Sequence, residues 1–312
     1  MMVANVLDNF PGLISPVREI ASYEALWTHH TTPTQIANLF RTFGNILPSA
    51  IADSEGISAG ELHQIRSEAE RLMPFTKYSA LFYQDFEYPN RLRDAKHPVE
   101  VLYYRGNLDL LSSKAIAVVG AREASPEGIA RAKKTAKLLV EGGFTVMSGL
   151  AKGIDTAAHE EAIKLGGKTI GVLGTALHES YPKQNRALQR EIAKNHIIVS
   201  QVPFVQYDRQ CRTNFRRNRM FFPERNKTMS ALSLATIIVE AGESSGSLTQ
   251  AQAAVEQGRK LFILKSCFEK GLQWPNKYLA KGAIKIEDGT EILEHLGNAG
   301  DISGSGIAVA KN

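Results

Sequence analysis

The sequence predicts an α/β protein, with a mostly parallel sheet covered by helices on both faces and a small N-terminal helical domain in front of it. Three observations predict this. From Lys114 onward, short apolar runs alternate with helical patterns, as in a parallel sheet with crossover helices. The runs show little polar alternation, as expected of strands buried on both sides. Three of them end in glycine-containing polar turns that open into helices: AIAVVGAREAS from Ala115, TVMSGLAKGID from Thr145 and TIIVEAGESSGSL from Thr236.

The elements follow in order. Residues up to about Met73 carry helical segments punctuated by Pro33, Pro48 and Gly56, which gives a helical domain over 1–75. SALFYQDFEYPNRL and PVEVLYYRGNL then read as extended pieces around Pro89 and Pro98, leading into the main domain, 76–297. Seven strands follow: IAVVG, FTVMS, TIGVL, IIVS, TIIVE, LFIL and AIKI. The helix after the first glycine turn has Ile129, Ala132, Ala136, Leu139 and Val140 along one stripe and stops at Gly142 and Gly143. The second has Ile154, Ala158, Ala162 and Leu165, with Asp155 as its expected N-cap and Gly166 and Gly167 at its end. The last residues, 298–312, have no usable period and read as a mobile tail.

Composition narrows the function. The 312 residues are long enough for one full α/β domain plus a smaller one, and 43% hydrophobic content supplies a sizeable core. The uncharged apolar stretch Thr228 to Val239 is well short of the ~20 residues that a membrane helix needs, so no membrane span is expected. The amino terminus has Asp8 and Pro11 where a signal core would lie and no basic stretch before it, which reads as cytoplasmic. Cys211 and Cys267 have neither CxxC spacing nor a nearby histidine pair, so reduced structural thiols are expected and no metal site is.

A parallel strand delivers its turn to the carboxyl edge of the sheet, where the next helix presents unpaired N–H groups and the positive end of its dipole. Phosphate suits such a place, and three turns in one sheet point to one anion site. The candidates are Gly120, Arg122 and Ser125 in the first turn, Ser148, Gly149, Lys152 and Gly153 in the second, and Ser245, Gly246 and Ser247 in the third. Dinucleotide chemistry is disfavoured: Gly120 and Gly128 do not make GxGxxG, and the second strand ends in Ser148 and Gly149 rather than an acid for a ribose. GLAKGID is not a P-loop, because its lysine precedes the second glycine and no hydroxyl follows it. His159, four residues after Asp155, reads as a satisfied helix histidine, and no zincin or GxSxG pattern is present. No cofactor and no catalytic residue are called.

Between Arg209 and Lys227 lie seven basic side chains and only Glu224 as an acid, an excess greater than the net charge of +5 of the whole chain. Phe215, Phe221 and Phe222 sit among them, the mixture that suits a polyanion with unstacked bases. Arg122, Ser125, Lys152, Lys183, Arg225, Asn226 and Lys227 are expected to line one groove, with Asn185 beside Lys183 and with Arg217 and Arg219 in the basic stretch. Several successive phosphates suit that groove better than one nucleotide. Single-stranded DNA fits, its bases stacking on Phe215 or Phe222.

At these residues the chain resembles the DNA-processing protein A family, also called Smf. VLYYRGNL, VVGAREASPEG, SGLAKGIDTAAH, GGKTIGVLGTAL, YPKQN, FPERN, VEAGESSGSLTQA and EQGRKLFIL stand in the order of that family's Rossmann-like core, over about Tyr78 to Leu296. The resemblance implies a cytosolic, non-catalytic protein that binds single-stranded DNA, forms homodimers and helps load a RecA-type recombinase during natural transformation. Gly120, Arg122, Ser148, Gly149, Gly153, Arg225 and Asn226 match its motif positions. Departures occur at Ser200–Pro203, at Lys227 in place of an arginine, and at Lys265 and Ser266, and no C-terminal winged helix follows; a member serving phage defence is the variant these suggest. The competing class is a nucleotide sensor or a phosphoribohydrolase of the LOG type on a related fold. It ranks second because GESSGSLTQA offers Glu243 without the doubled glycine or the following acid.

Overall fold

The computed structural model describes residues 15–96 and 99–297, apart from the side chains of Asn214 and Phe215; the expected tail, 298–312, lies outside the described residues. Among the described residues four helices come first: α1 (Pro16–His29), α2 (Pro33–Thr42), α3 (Pro48–Ser54) and α4 (Ala59–Leu72). The prolines that punctuate this stretch open α1, α2 and α3, where the missing N–H costs nothing. Ser15, Thr32 and Ser58 accept from the backbone N–H three residues on and cap α1, α2 and α4.

Nine strands of the described residues form one sheet. They are β1 (Ser79–Phe82), β2 (Val101–Gly106), β3 (Ala115–Gly120), β4 (Thr145–Ser148), β5 (Thr169–Leu173), β6 (Ile197–Ser200), β7 (Ala235–Glu240), β8 (Lys260–Leu264) and β9 (Ile284–Ile286). The seven strands read from the sequence are β3 to β9, all mutually parallel. The two extended pieces become β1 and β2, an antiparallel pair whose inner member runs antiparallel to β6, with Tyr103 opposite Ser200. Between the strands lie α5 (Asn90–Arg93), α6 (Pro126–Glu141), α7 (Ile154–Lys164), α8 (Arg186–Asn195), α9 (Phe204–Asn214), α10 (Phe221–Leu232), α11 (Ser247–Glu256) and α12 (Trp274–Leu279), and α13 (Thr290–Leu296) ends the described chain.

The strand order is β1-β2-β6-β5-β4-β3-β7-β8-β9. The chain thus builds outward from β3 to β6, then returns to lay β7 on the other side of β3. That reversal opens a crevice at the carboxyl ends of β3 and β7, the usual ligand position in such sheets. Alternate residues of β3 feed two cores: Ile116 and Val118 pack with α6, α7 and α13, whereas Ala117 and Val119 pack with α10, α11 and α12.

The helical bundle shares a third core with the sheet, in which Tyr23, Leu26, Trp27 and Phe40 meet Tyr103, Phe204 and Phe221. Glu24 of α1 lies inside that contact. Its carboxylate accepts from Phe204 N–H at 2.8 Å, Val205 N–H at 3.0 Å and the Tyr103 hydroxyl at 2.7 Å, so it caps α9 from the helical bundle. At the rim Arg209 donates to Glu68 from Nε at 3.3 Å and from Nη2 at 2.7 Å.

Candidate nucleic-acid interface

Three strand ends meet at the crevice. The first turn leaves β3 at Gly120 and reaches α6, which Ser125 caps by accepting from Gly128 N–H at 3.0 Å. Glu240, at the end of β7, accepts from Ser125 Oγ at 2.8 Å and from Lys270 Nζ at 2.8 Å, with Arg131 Nη2 at 3.5 Å. The Lys270 and Ser125 contacts hold its carboxyl below the usual range against a burial effect that alone would raise it. A carboxylate of the protein itself therefore sits at the start of α6, where a phosphate was expected. Two sequence expectations change: Ser125 is committed to the cap, and the first helix start is not a free anion site.

The second turn is likewise self-satisfied. Asp155 is not the N-cap of α7; Gly153 is, and the Asp155 carboxylate in the first helical turn folds back to accept from Gly149 N–H at 3.1 Å and Ala151 N–H at 3.4 Å. Gly153 has φ 76°, and a Cβ there would collide with the Ala121 carbonyl, so it lets the first and second turns touch. Leu150 takes the left-handed conformation at φ 57°, with its carbonyl accepting from Asn185 Nδ2 at 2.9 Å. Asn185 also donates to Thr156 Oγ1 at 2.8 Å and is a brace rather than a ligand contact. Ser148 is buried and donates to the Val118 carbonyl at 2.6 Å. His159 pairs through Nδ1 with Thr169 Oγ1 at 2.6 Å, not with Asp155, and burial pushes its pKa down to about 3.

Arg225, 6% exposed, holds this layer together from α10. Its Nη1 donates to the carbonyls of Gly149 at 2.6 Å and Val172 at 2.7 Å, and its Nε donates to Asn226 Oδ1 at 2.9 Å. Burial lowers its pKa most, the nearby Asp155 carboxylate opposes that, and Arg122 adds to it. Asn226 donates from Nδ2 to the Gly246 carbonyl at 3.0 Å and so fixes the third turn. Arg225 lines the groove as expected, but it is no free donor there: the hydrogen bonds of its Nη1 and Nε run inward to the protein's own groups.

What remains open is a cleft of about 580 Å³ walled by Arg122 and Glu123 of the first turn, Phe222 and Arg225 of α10, and Ser244 to Ser247 at the start of α11. A smaller hollow of about 210 Å³ adjoins it, sharing Arg122, Phe222 and Arg225 and adding Lys152, Tyr181 and Pro182. Arg122 is exposed and lies over the Phe222 ring at 5.6 Å, and Tyr181 meets the same ring at 5.5 Å. The predicted residues brought together here are Gly120, Arg122, Gly149, Lys152, Arg225, Asn226, Ser245, Gly246 and Ser247. Lys183 is exposed next to Pro182.

Other predicted residues fall elsewhere. Lys227 pairs with Glu224 at 2.9 Å and faces a different cavity, toward the helical bundle. Two positions beyond Arg225 it is turned about 200° around α10, which puts it on the far side of the helix. Arg217 and Arg219 are exposed on the short 3-10 segment before α10 and line neither hollow. The side chain of Phe215 is outside the described set. The sequence reading missed Glu240, although an acid closing a buried strand at a sheet edge was visible in TIIVE.

Fold and site together define a Rossmann-like protein with an open, arginine- and aromatic-lined cleft at the reversal point of its sheet. The chain belongs to the DNA recombination-mediator protein A family, whose model matches residues 79–297. It is similar to DNA processing protein DprA of Streptococcus pneumoniae, at 37% identity over 70% of this chain and 74% of that protein. The solved structure of the Streptococcus pneumoniae protein superposes with a TM-score of 0.70 at 30% identity, covering 88% of this chain and 97% of the other. A structure addressing the single-stranded DNA binding mode of DNA processing protein A from Helicobacter pylori gives a TM-score of 0.59 at 29% identity, over 70% and 95% of the two chains.

Proposed function

We propose that the cleft at the carboxyl ends of β3 and β7 binds single-stranded DNA and performs no covalent chemistry on it. The observation that carries this reading is the Arg122–Phe222–Tyr181 cluster beside the start of α11. It sets a cation and ring faces next to the Gly246 N–H and the Ser247 hydroxyl, the donors left over once the N–H groups of Ser245 and Ser247 and the Ser245 hydroxyl have bonded within the turn. A single strand needs those groups in alternation, with guanidinium on phosphate and rings on bases. Family membership supports the same reading, and the description of that family as recombination mediators supports delivery of the strand to a recombinase.

The mechanism is one of positioning. Arg225 and Asn226 fix the second and third turns from below, Glu240 fixes the first, and Arg122 is left to meet a phosphate from above. The reading as a phosphoribohydrolase finds no comparable support, because Glu243 is exposed and accepts from Gln273 N–H outside the cleft. The test is a fluorescence-anisotropy titration of the chain with oligothymidine and with duplex DNA across a salt series. Binding of the single strand that weakens steeply with salt is expected; equal affinity for duplex, or an affinity that salt leaves unchanged, would sink the proposal.

A further inference from the structure

A separate cavity of about 290 Å³ lies where the helical bundle meets the sheet, walled by Tyr23 and Trp27 of α1, Arg41 of α2, Glu100 before β2, and Phe221 and Glu224 of α10. Junctions between domains are a common place for small-molecule sites. Its charges are unevenly satisfied. Glu224 is answered by Lys227 at 2.9 Å, whereas the Glu100 carboxyl is supported by the Tyr23 hydroxyl and meets no ion-pair partner among the described residues. Arg41, exposed at the rim, donates to the side chain of Asn38 at 3.0 Å and to no carboxylate among the described residues. Trp27 and Phe221, their rings 5.7 Å apart, line the same cavity.

We propose that this cavity binds a small zwitterion of amino-acid size, with its ammonium on Glu100 and its carboxylate toward Arg41. A plain cation would meet Arg41 and Lys96 on the same lining, and a plain anion would meet Glu100 and Glu224; a molecule carrying both charges answers both ends. The space equals that of roughly ten waters, enough for a free amino acid with a medium side chain. Burial pushes the Glu100 carboxyl up to about 7, with Glu224 adding to the rise and Tyr23 and Arg41 opposing it, which is the state of an acid that lacks its counter-charge.

The experiment is a thermal-shift scan of the full chain against each of the standard amino acids, a short diamine and a short dicarboxylate at millimolar concentration, run in parallel on Glu100→Gln and Arg41→Gln. At least one amino acid is expected to raise the wild-type midpoint by several degrees, and both variants are expected to lose that response. Arg41 is exposed, so its variant tests the idea even where Glu100→Gln folds poorly. The proposal fails if no amino acid shifts the wild type, if Arg41→Gln responds as the wild type does, or if only diamines or only dicarboxylates stabilise the chain. An Arg122→Ala variant retains the response, which separates this site from the DNA cleft.

Discussion

The Arg225 guanidinium occupies the space that a side chain at Gly149 would need: a Cβ there would collide with Nη1, which donates to the Gly149 carbonyl at 2.6 Å. The glycine is present for a buried arginine, not for a phosphate. Arg225→Ala would leave two buried carbonyls without a donor and Asp155 without its neighbouring cation. It is expected to destabilise the fold by about 3–5 kcal/mol. Urea unfolding checks this; a loss under about 1 kcal/mol would show the guanidinium to be dispensable.

Arg122 behaves oppositely, because it is exposed and stacks on Phe222. Arg122→Ala is expected to weaken oligothymidine binding about tenfold and to reduce the salt slope by about 0.7. Its unfolding free energy should stay within about 0.5 kcal/mol of wild type. Paired anisotropy and unfolding measurements decide it, and unchanged affinity would remove Arg122 from the interface.

Phe222→Leu removes a ring face without removing charge. A loss of about 1–3 kcal/mol in binding is expected for one stacked base, with the salt slope preserved. A changed slope with an unchanged low-salt affinity would count against stacking.

The helix α10 shows which parts of the site were legible. Its basic and aromatic residues were evident in FFPERNK, but sequence spacing does not say where each side chain points. Phe222 faces the cleft, Arg225 turns inward to carbonyls, and Lys227 faces the opposite cavity. Lys227→Ala is accordingly expected to leave oligonucleotide affinity within about twofold of wild type in the same titration. The strands β3 to β9 were legible because burial on both faces leaves uninterrupted apolar runs. The pairing of β2 with β6 joins residues nearly a hundred positions apart, and nothing local encodes it. Likewise, Ser125, Ser148 and Asn185 look like free donors in a turn until their acceptors, contributed by distant segments, are known.

Glu24 gives a pH dependence with a definite sign. Burial raises its carboxyl from 4.5 to about 7, while the hydrogen bonds from Tyr103, Phe204 and Val205 oppose the rise. The folded state therefore holds a proton that the unfolded chain releases, so stability is highest below about pH 4.5 for this group and falls as pH rises through 7. Glu24→Gln is expected to remove this component, which flattens the decline in unfolding free energy between about pH 4.5 and 7. Parallel urea melts at several pH values test it, and identical slopes in both proteins would contradict the assignment.

The family segment begins at residue 79, yet the acceptor that closes the start of α9 is Glu24, far upstream of it. The N-terminal bundle is consequently no interchangeable accessory. A foreign module joined at that boundary would have to bring its own carboxylate to the same spot, together with aromatic rings to cover Tyr103 and Phe221. Otherwise the sheet-bearing half of the molecule would be left with two backbone amides and an oily flank facing water.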